Sequence, residues 1–421
     1  MKTIKLLFIV LLFPAHLLMA QETVTLKQCQ NWARENHPVL KQLDLYQQIL
    51  DLKNENNATS FLPQVNLNGQ ATYQSAVTKI GISLPNIKIP TVDKDQYKFY
   101  LDFKQTIWDG GLSKAKELIN RAENAGNLQQ TEVELYQVKE KVNQFFFTSF
   151  LIQENLKILE KKKETLAERR KILESAVNNG MVLSSELDQL LAELINTDQM
   201  LIELKSNKET VLYALSILTG KTSDQMKNLA LSEEPILSEK PLSRPELDLF
   251  SKQNELLNAN SEILQKQRNP KLFGFGQAGY GKPGLNMLNN TFDTYYLVGL
   301  GFSWNVLDWK TTKRQQQILK LQQNLVQTKQ ESFIQNIDLA TDQQTKQISQ
   351  ISELLKTDQD LIQIRERITK TSASKLENGS ITMADYIQDL NAETTARLML
   401  ETRKIQLEEA QIKLENIRGN Q

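Results

Sequence analysis

The sequence predicts a mainly α-helical protein with a small β part, built from a duplicated helix–strand–strand–helix–helix unit. Three observations lead to this fold class. The 421 residues include only 10 prolines, and none lies between Pro90 and Pro235 or after Pro283, which favours long uninterrupted helices. Two sets of residues recur at constant spacing in the two halves of the chain. A few short segments alternate apolar and polar residues, as strands do.

The composition argues against an enzyme and against a protein that binds nucleic acid. Lys+Arg and Asp+Glu number 50 each, so no basic excess attracts a polyanion. The single cysteine, Cys29, cannot form an internal disulfide, and His37 is the only histidine beyond the N-terminal segment. We therefore expect no catalytic residue, no cofactor and no metal site.

Residues 1–20 are predicted to be a cleaved signal peptide. A short basic stretch through Lys5 precedes an apolar run, and Leu18-Met19-Ala20 ends in the small residue that signal peptidase requires. The alternative, a membrane anchor, is disfavoured because the run is shorter than the roughly 20 residues of a helical span. Cys29 lies too far downstream to carry a lipid. The mature protein is therefore expected to be exported and to begin, unlipidated, at Gln21.

The two halves of the chain match each other at two offsets. An offset of 207 residues places Pro38 on Pro245, and Gly69-Gln70-Ala71 on Gly276-Gln277-Ala278. Further along, an offset of 199 places Leu101, Phe103 and Asp109 on Leu300, Phe302 and Asp308, and Asn179-Gly180 on Asn378-Gly379. One loop of different length accounts for the change. We therefore expect a first repeat over 21–220, a linker over 221–244 and a second repeat over 245–421.

Each half is expected to open with one helix and to end with two long ones. The opening helices are predicted at about 25–57 and 245–268, and the long pairs at about 112–177 and 182–219, and at 310–377 and 382–417. A helix of some 65 residues is roughly 100 Å long. Asn-Gly at 179–180 and 378–379 marks the reversal within each pair.

The surfaces of the long helices show two patterns. A 4-3 leucine spacing between Leu183 and Leu218 predicts a coiled-coil seam. The basic runs at 161–163 and 169–171 lie among glutamates and predict a solvated, salt-bridged face.

The alternating segments predict strands of about nine or ten residues. Val65–Tyr73, Tyr97–Phe103 and Tyr296–Trp304 each place apolar residues on one face. This length suits a tilted strand across an outer membrane, and aromatic residues gather near the strand ends, as they do at membrane interfaces. The alternative is a soluble sheet packed on the helices. Gly274–Gly279 matches the G-x-G-x-x-G pattern, but no helix follows it, so a dinucleotide site is rejected.

The number of strands has a consequence for assembly. Four strands cannot close a barrel with a lumen, and open sheet edges are not tolerated in lipid. Copies of the chain are therefore expected to pool their strands in a symmetric ring.

These features together resemble the TolC-like outer-membrane efflux proteins. The resemblance rests on the repeat, on Pro63 and Pro270 before a strand, on Trp108-Asp109-Gly110-Gly111 after one, and on the Gly180–Gly220 and Gly379–Gly419 helices. It implies a homotrimer whose twelve strands form one β-barrel in the outer membrane of a Gram-negative bacterium. A long α-helical barrel continues it into the periplasm.

The resemblance also implies a function and partners. Family members are passive exit ducts of tripartite efflux or type I secretion systems. They work with an inner-membrane pump and a periplasmic adaptor protein, in contact with outer-membrane lipid. The adaptor-facing helix tips fall at Asn179-Gly180-Met181 and Asn378-Gly379-Ser380. The other function left open is a periplasmic or surface coiled-coil structural protein without channel activity.

The resemblance places the closed channel entrance near the second tip, where the family narrows it with carboxylates. Asp385 falls on the first such position, and the second holds Gln388, with Asp389 beside it but about 100° away around the helix. Glu186 is the matching residue of the first half. Considered without the resemblance, Asp385 and Glu186 are also explained as first-turn acids favoured by the helix dipole.

Overall fold

The computed structural model describes residues 23–78, 81, 91–231 and 241–419, so the predicted signal peptide lies outside the described residues. The helices are α1 (Leu26–Asn36), α2 (Leu40–Ala58), α3 (Leu112–Asn178), α4 (Ser184–Thr219), α5 (Pro245–Lys266), α6 (Thr311–Glu377) and α7 (Met383–Arg418). The strands are β1 (Val24–Thr25), β2 (Gln64–Tyr73), β3 (Asp95–Trp108), β4 (Leu229–Ala230), β5 (Lys271–Lys282) and β6 (Asp293–Ser303).

The long helices repeat in both length and position. Helices α3 and α6 contain 67 residues each, and α4 and α7 contain 36 each. Their first and last residues coincide at the offset of 199 found in the sequence. At 1.5 Å per residue the longer helices extend about 100 Å. The prediction of two long helices per half is confirmed.

The prediction of one opening helix over 25–57 is wrong, because the chain breaks at His37. The backbone of His37 is extended (φ −68°, ψ 129°) and separates α1 from α2. A residue that precedes proline is disfavoured in the α conformation, and Pro38 has no N–H to donate to the preceding turn. Its counterpart, Pro245, is the first residue of α5, where proline fits a helix start.

The main sheet joins the two halves of the chain. Its four strands are antiparallel in the order β2-β3-β5-β6, so the second strand of the first half pairs with the first strand of the second half. Strand β3 is longer than predicted, at 14 residues, whereas β6 ends at Ser303 and leaves Trp304 outside. The G-x-G-x-x-G segment lies within strand β5 and does not open a helix, so the structure agrees with rejecting it as a dinucleotide site.

The two faces of this sheet differ in polarity. The apolar face predicted from the alternation is confirmed, and its side chains are largely exposed: Val65, Leu67, Phe99, Leu101, Val298, Leu300 and Phe302. The opposite face carries Asn66, Asn68, Lys98, Asp102, Lys104 and Gln277. On that face Gln277 donates a hydrogen bond to Asp102 at 3.2 Å, and the Lys104 ammonium lies 4.2 Å from the Phe273 ring centre.

The largest hydrophobic core lies near the middle of α3, far from the sheet. Phe146 and Phe147 are buried there against Cys29 of α1, and burial raises the pKa of the Cys29 thiol to about 12. Strands β1 and β4 pair in parallel beside this core, so the described part of the linker packs against it. Among the described residues, no helix has the length and apolar character needed to cross a membrane.

Candidate functional site

The two long hairpins end in tips with the same backbone geometry. The first tip (residues 178–183) joins α3 to α4, and the second tip (377–382) joins α6 to α7. Gly180 and Gly379 adopt left-handed φ values of 71° and 67°. Around each glycine two N–H groups return to the last carbonyls of the preceding helix, which is the Schellman arrangement. A glycine is favoured at both positions because a side chain destabilises this φ.

The predicted adaptor-facing residues are exposed at these tips. Asn179, Gly180, Met181, Asn378, Gly379 and Ser380 are all solvent-exposed. Met181 is 70% exposed, and Leu183, the residue before α4, is 74% exposed. The first tip therefore presents exposed apolar surface. The predicted seam begins beyond Leu183, since its buried members are Leu190, Thr197, Leu201 and Leu215.

Behind the tips the two hairpins pack against each other. Leu166, Leu173 and Leu190 of the first hairpin form one buried cluster with Met383, Tyr386 and Leu390 of the second. This cluster sets the position of the second tip relative to the first.

Glu186 connects the two hairpins directly. Its Oε2 accepts a hydrogen bond of 2.5 Å from the backbone N–H of Met383, the first residue of α7. A carboxylate at that point satisfies an N–H group that lacks a partner within its own helix and interacts favourably with the helix dipole. Of the predicted entrance residues, Glu186 is thus the one that holds the tips together.

Asp385 is exposed and caps its own helix. Its Oδ2 accepts hydrogen bonds from the side-chain hydroxyl and the backbone N–H of Thr382, while the Asp385 N–H donates to the Thr382 hydroxyl. The hydrogen bonds from the Thr382 side chain and backbone lower the pKa of Asp385 below its ordinary value. This cap therefore stabilises the start of α7 at neutral pH, and its contribution is lost as the pH falls through the lowered value.

Asp389 lies one turn further along and turns towards α6. Its Oδ2 accepts a hydrogen bond from the hydroxyl of Ser372, and the Thr369 hydroxyl donates to its backbone carbonyl at 3.2 Å. Asp385 and Asp389 therefore have different surroundings, since the first faces solvent and the second faces its own hairpin.

Arg169 of α3 makes a contact with the second hairpin that the sequence pattern did not predict. It forms an ion pair of 2.7 Å with Glu377, and its guanidinium carbon lies 5.4 Å from the ring centre of Tyr386. The prediction of a wholly solvated basic face is also wrong for Lys162, which is 7% exposed and pairs with Glu193. Both partners lie on other helices, so the local charge pattern carries no signal for them.

No protein-family model matches this sequence, and no curated protein matches it either. Several solved structures, by contrast, are similar to this chain. The CmeC outer membrane channel of Campylobacter jejuni is similar over 94% of this chain and 85% of its own, with a TM-score of 0.65 and 17% identity. The outer membrane protein VceC of Vibrio cholerae is similar over 92% of this chain and 95% of its own, with a TM-score of 0.64 and 13% identity.

The open state of the MtrE outer membrane channel of Neisseria gonorrhoeae is similar over 94% of this chain and 89% of its own. Its TM-score is 0.64 at 13% identity. At these identities the likeness concerns the fold. The resemblance found in the sequence is confirmed at that level: the chain has the fold of the TolC-like outer-membrane channels.

Proposed function

We propose that this protein is an exit duct in the outer membrane, which conducts substrates from the periplasm to the exterior as a homotrimer. The observation that carries this proposal is the two-faced sheet at the end of helices about 100 Å long. One face of the sheet is apolar and exposed, which suits lipid. The other carries most of the polar and charged side chains of the sheet, with Phe273, Phe275 and Leu297 among them, which suits a water-filled lumen. The solved structures with this fold include outer membrane channels.

The sheet also supports assembly from several copies. Within the described residues β2 and β6 have no strand partner on their outer edges. Unpaired edges are not tolerated in lipid, so the strands of neighbouring copies must complete the sheet. Three copies supply twelve strands, and each copy contributes both repeats (21–220 and 245–421) with the linker 221–244 between them.

The tips are the proposed docking point for a periplasmic adaptor, through which an inner-membrane pump delivers the substrate. The exposed residues 179–181 and 378–380 supply this surface, and Met181 adds an apolar side chain to it. Asp385 is the proposed charge at the closed entrance. Glu186 fixes the start of the same helix and Asp389 lies behind it, so all three belong to the entrance in different roles.

Membrane fractionation and planar-bilayer recording test the proposal. The protein is expected in the outer-membrane fraction, extracted only by detergent, and the purified oligomer is expected to give discrete conductance steps. Release of the full-length protein with the soluble periplasm, together with a silent bilayer, would instead support the coiled-coil structural protein.

A further inference from the structure

Two phenylalanine rings lie on the polar face of the four-stranded sheet. Phe273 and Phe275 both belong to β5, and their ring centres lie 6.2 Å apart. Their partners on β6 are Gly301 and Gly299, respectively. A Cβ at Gly301 would lie 2.4 Å from the Phe273 ring. A Cβ at Gly299 would lie 2.6 Å from the Phe275 ring. The rings therefore fill the space that the two glycines leave free, and together they form one aromatic surface.

Lys104 adds a positive charge to this surface. It lies opposite Phe275 in the pairing of β3 with β5, and its ammonium lies 4.2 Å from the Phe273 ring centre. A ring attracts a cation at that distance. The Lys104 side chain is exposed, and among the described residues no carboxylate lies within salt-bridge distance of its ammonium. We call Phe273, Phe275 and Lys104 the aromatic patch.

The first repeat shows that the strand pairing does not require these rings. At the matching positions Asn66 pairs with Asp102, and Asn68 pairs with Tyr100. An aromatic ring over a glycine stabilises a strand pair. The first repeat nevertheless keeps the same register with asparagines in place of the phenylalanines. The aromatic patch is therefore a feature of one repeat and not a requirement of the fold.

The rings remain partly open to solvent. Phe273 and Phe275 are half-buried, because β6 covers only part of each ring. Leu297 follows Gly299 on the same face of β6, is 44% exposed and extends the apolar surface. Sites for small molecules typically combine an apolar lining with a few polar groups that fix the orientation of the ligand. The aromatic patch has this composition.

We propose that the aromatic patch is a binding site for organic anions with a flat apolar body. The rings of Phe273 and Phe275 contact the apolar body, and the Lys104 ammonium pairs with the acidic group. This inference rests on the proposed duct, and it names the class of substrate that the sheet end of the lumen favours. Binding at such a site is weak, as conduction requires, since a bound molecule must also leave.

The charge of the patch decides the class of ligand. An anionic amphiphile brings its charge to Lys104 while its apolar body covers the rings. A cationic amphiphile in the same position would place its charge beside the ammonium. The nearest acid on β3, Asp102, lies one row further along the strands and accepts a hydrogen bond of 3.2 Å from Gln277. Lys104, and not Asp102, therefore borders the rings.

Planar-bilayer recording of the purified full-length oligomer tests the site, with naphthalenesulfonate as the probe. The probe is added on the external side, from which it reaches the sheet without passing the tips. It should reduce the conductance at lower concentration than ethanesulfonate, which lacks the rings, and than naphthylmethylammonium, which carries the opposite charge. Phe275→Leu and Lys104→Gln should each raise the half-blocking concentration by about threefold or more.

Two variants serve as controls. Phe99→Leu removes a ring from the apolar face of the same sheet and should leave the half-blocking concentration unchanged. Lys104→Arg keeps the charge and should retain the block. Each variant is compared only when its conductance without the probe equals that of the unsubstituted protein, which shows that it is folded and assembled. Equilibrium dialysis of naphthalenesulfonate against the detergent-solubilised protein measures binding independently of conduction.

The outcomes separate this site from the proposed function. The same half-blocking concentration in Phe275→Leu, Lys104→Gln and the unsubstituted protein would overturn the site and leave the duct intact. Equal block by naphthylmethylammonium would overturn the anionic class of ligand. A protein without conductance that binds naphthalenesulfonate, and binds it less tightly in Phe275→Leu, would retain the site and contradict the duct. Absence of both conductance and binding would overturn both.

Discussion

Glu186 shows how a single side chain joins two parts of the protein that lie about 200 residues apart in sequence. Its carboxylate occupies the N-terminus of α7, where the Met383 N–H would otherwise lack a protein partner. The sequence predicts Glu186 in the first turn of its own helix α4, and the structure places it there. The contact with α7 depends on how the hairpins pack, and no local pattern encodes it.

Replacing Glu186 with Gln should loosen the start of α7. Gln retains an acceptor oxygen but loses the charge that interacts with the helix dipole, and this interaction contributes about 0.3–1 kcal/mol. Amide hydrogen exchange in peptides that cover residues 383–390 should therefore become about two- to fivefold faster. Asp188→Asn, an exposed acid on the same helix, is the control and should leave the exchange rate unchanged. Equal exchange in both variants would show that the Glu186 contact does not hold α7.

At the scale of elements, the duplication explains which features the sequence predicts well. The long helices are predicted to within about two residues because they lack proline and because their ends repeat at one offset. The start of each 67-residue helix also repeats: Asp109 accepts from the N–H of Ser113 at 2.6 Å, and Asp308 from that of Thr312 at 3.0 Å. The break at His37 has a local cause in Pro38 that the repeat pattern overlooked, whereas the ends of β3 and the β3–β5 register depend on contacts between distant segments. Sequence patterning therefore predicts the strand ends and the register poorly.

Gly110 and Gly180 have nearly the same φ, so substituting each of them distinguishes the cost of the backbone conformation from the cost of a steric clash. Gly110 (φ 72°) lies where β3 leads into α3, and a Cβ there would lie 2.5 Å from Cβ of Asn269. A Cβ at Gly180 (φ 71°) meets no atom within 4 Å. Gly180→Ala should therefore destabilise the protein by about 1–2 kcal/mol, the cost of the left-handed conformation. Gly110→Ala should destabilise the protein by more than this, because the steric clash with Asn269 is added.

Thermal unfolding of the detergent-solubilised protein, followed by circular dichroism, measures this difference. The Gly110→Ala variant should unfold at a clearly lower temperature than Gly180→Ala. Gly180→Asn should lie closest to the unsubstituted protein, because Asn tolerates the left-handed region better than Ala does. If Gly110→Ala and Gly180→Ala lower the unfolding temperature equally, Asn269 moves aside for the new methyl group at no cost in stability.

At the scale of the whole molecule, the sheet and the tips lie at opposite ends of helices about 100 Å long. In the proposed orientation the loops between paired strands face the exterior and the tips face the periplasm. The loops predicted from the sequence are 74–96 and 281–294. The second loop is shorter than predicted, at 283–292, because β5 extends to Lys282 and β6 begins at Asp293. Lys88 of the first loop lies outside the described residues. Asn289 is therefore the position from which the external side can be tested.

Single cysteines should report this orientation. Asn289→Cys is expected to react with a membrane-impermeant maleimide on intact cells, whereas Asn179→Cys should react only after the outer membrane is permeabilised. The unsubstituted protein is the blank, because burial and a pKa raised to about 12 keep the Cys29 thiol unreactive. Labelling of Asn179→Cys but not of Asn289→Cys on intact cells would invert the orientation.

The exposed carboxylate of Asp385 has a different consequence in a ring than in a single chain. Its hydrogen bonds to Thr382 keep it ionised, and the structure shows no salt bridge to it among the described residues. If three copies place Asp385 around one axis at the entrance, three like charges form a site that attracts cations. Divalent cations added on the periplasmic side should then reduce the conductance of the isolated trimer, and Asp385→Asn should weaken this block.

The other two carboxylates proposed for the entrance provide the comparison. Glu186 is engaged with the Met383 N–H and Asp389 with the Ser372 hydroxyl, so neither is as free to face a passing ion. Glu186→Gln should therefore change the cation block less than Asp385→Asn does. The measurement is the half-blocking cation concentration in planar bilayers, and a severalfold increase is expected for Asp385→Asn alone. An unchanged value in that variant would remove Asp385 from the entrance and make Asp389 the next residue to substitute, without affecting the proposal that the protein is a duct.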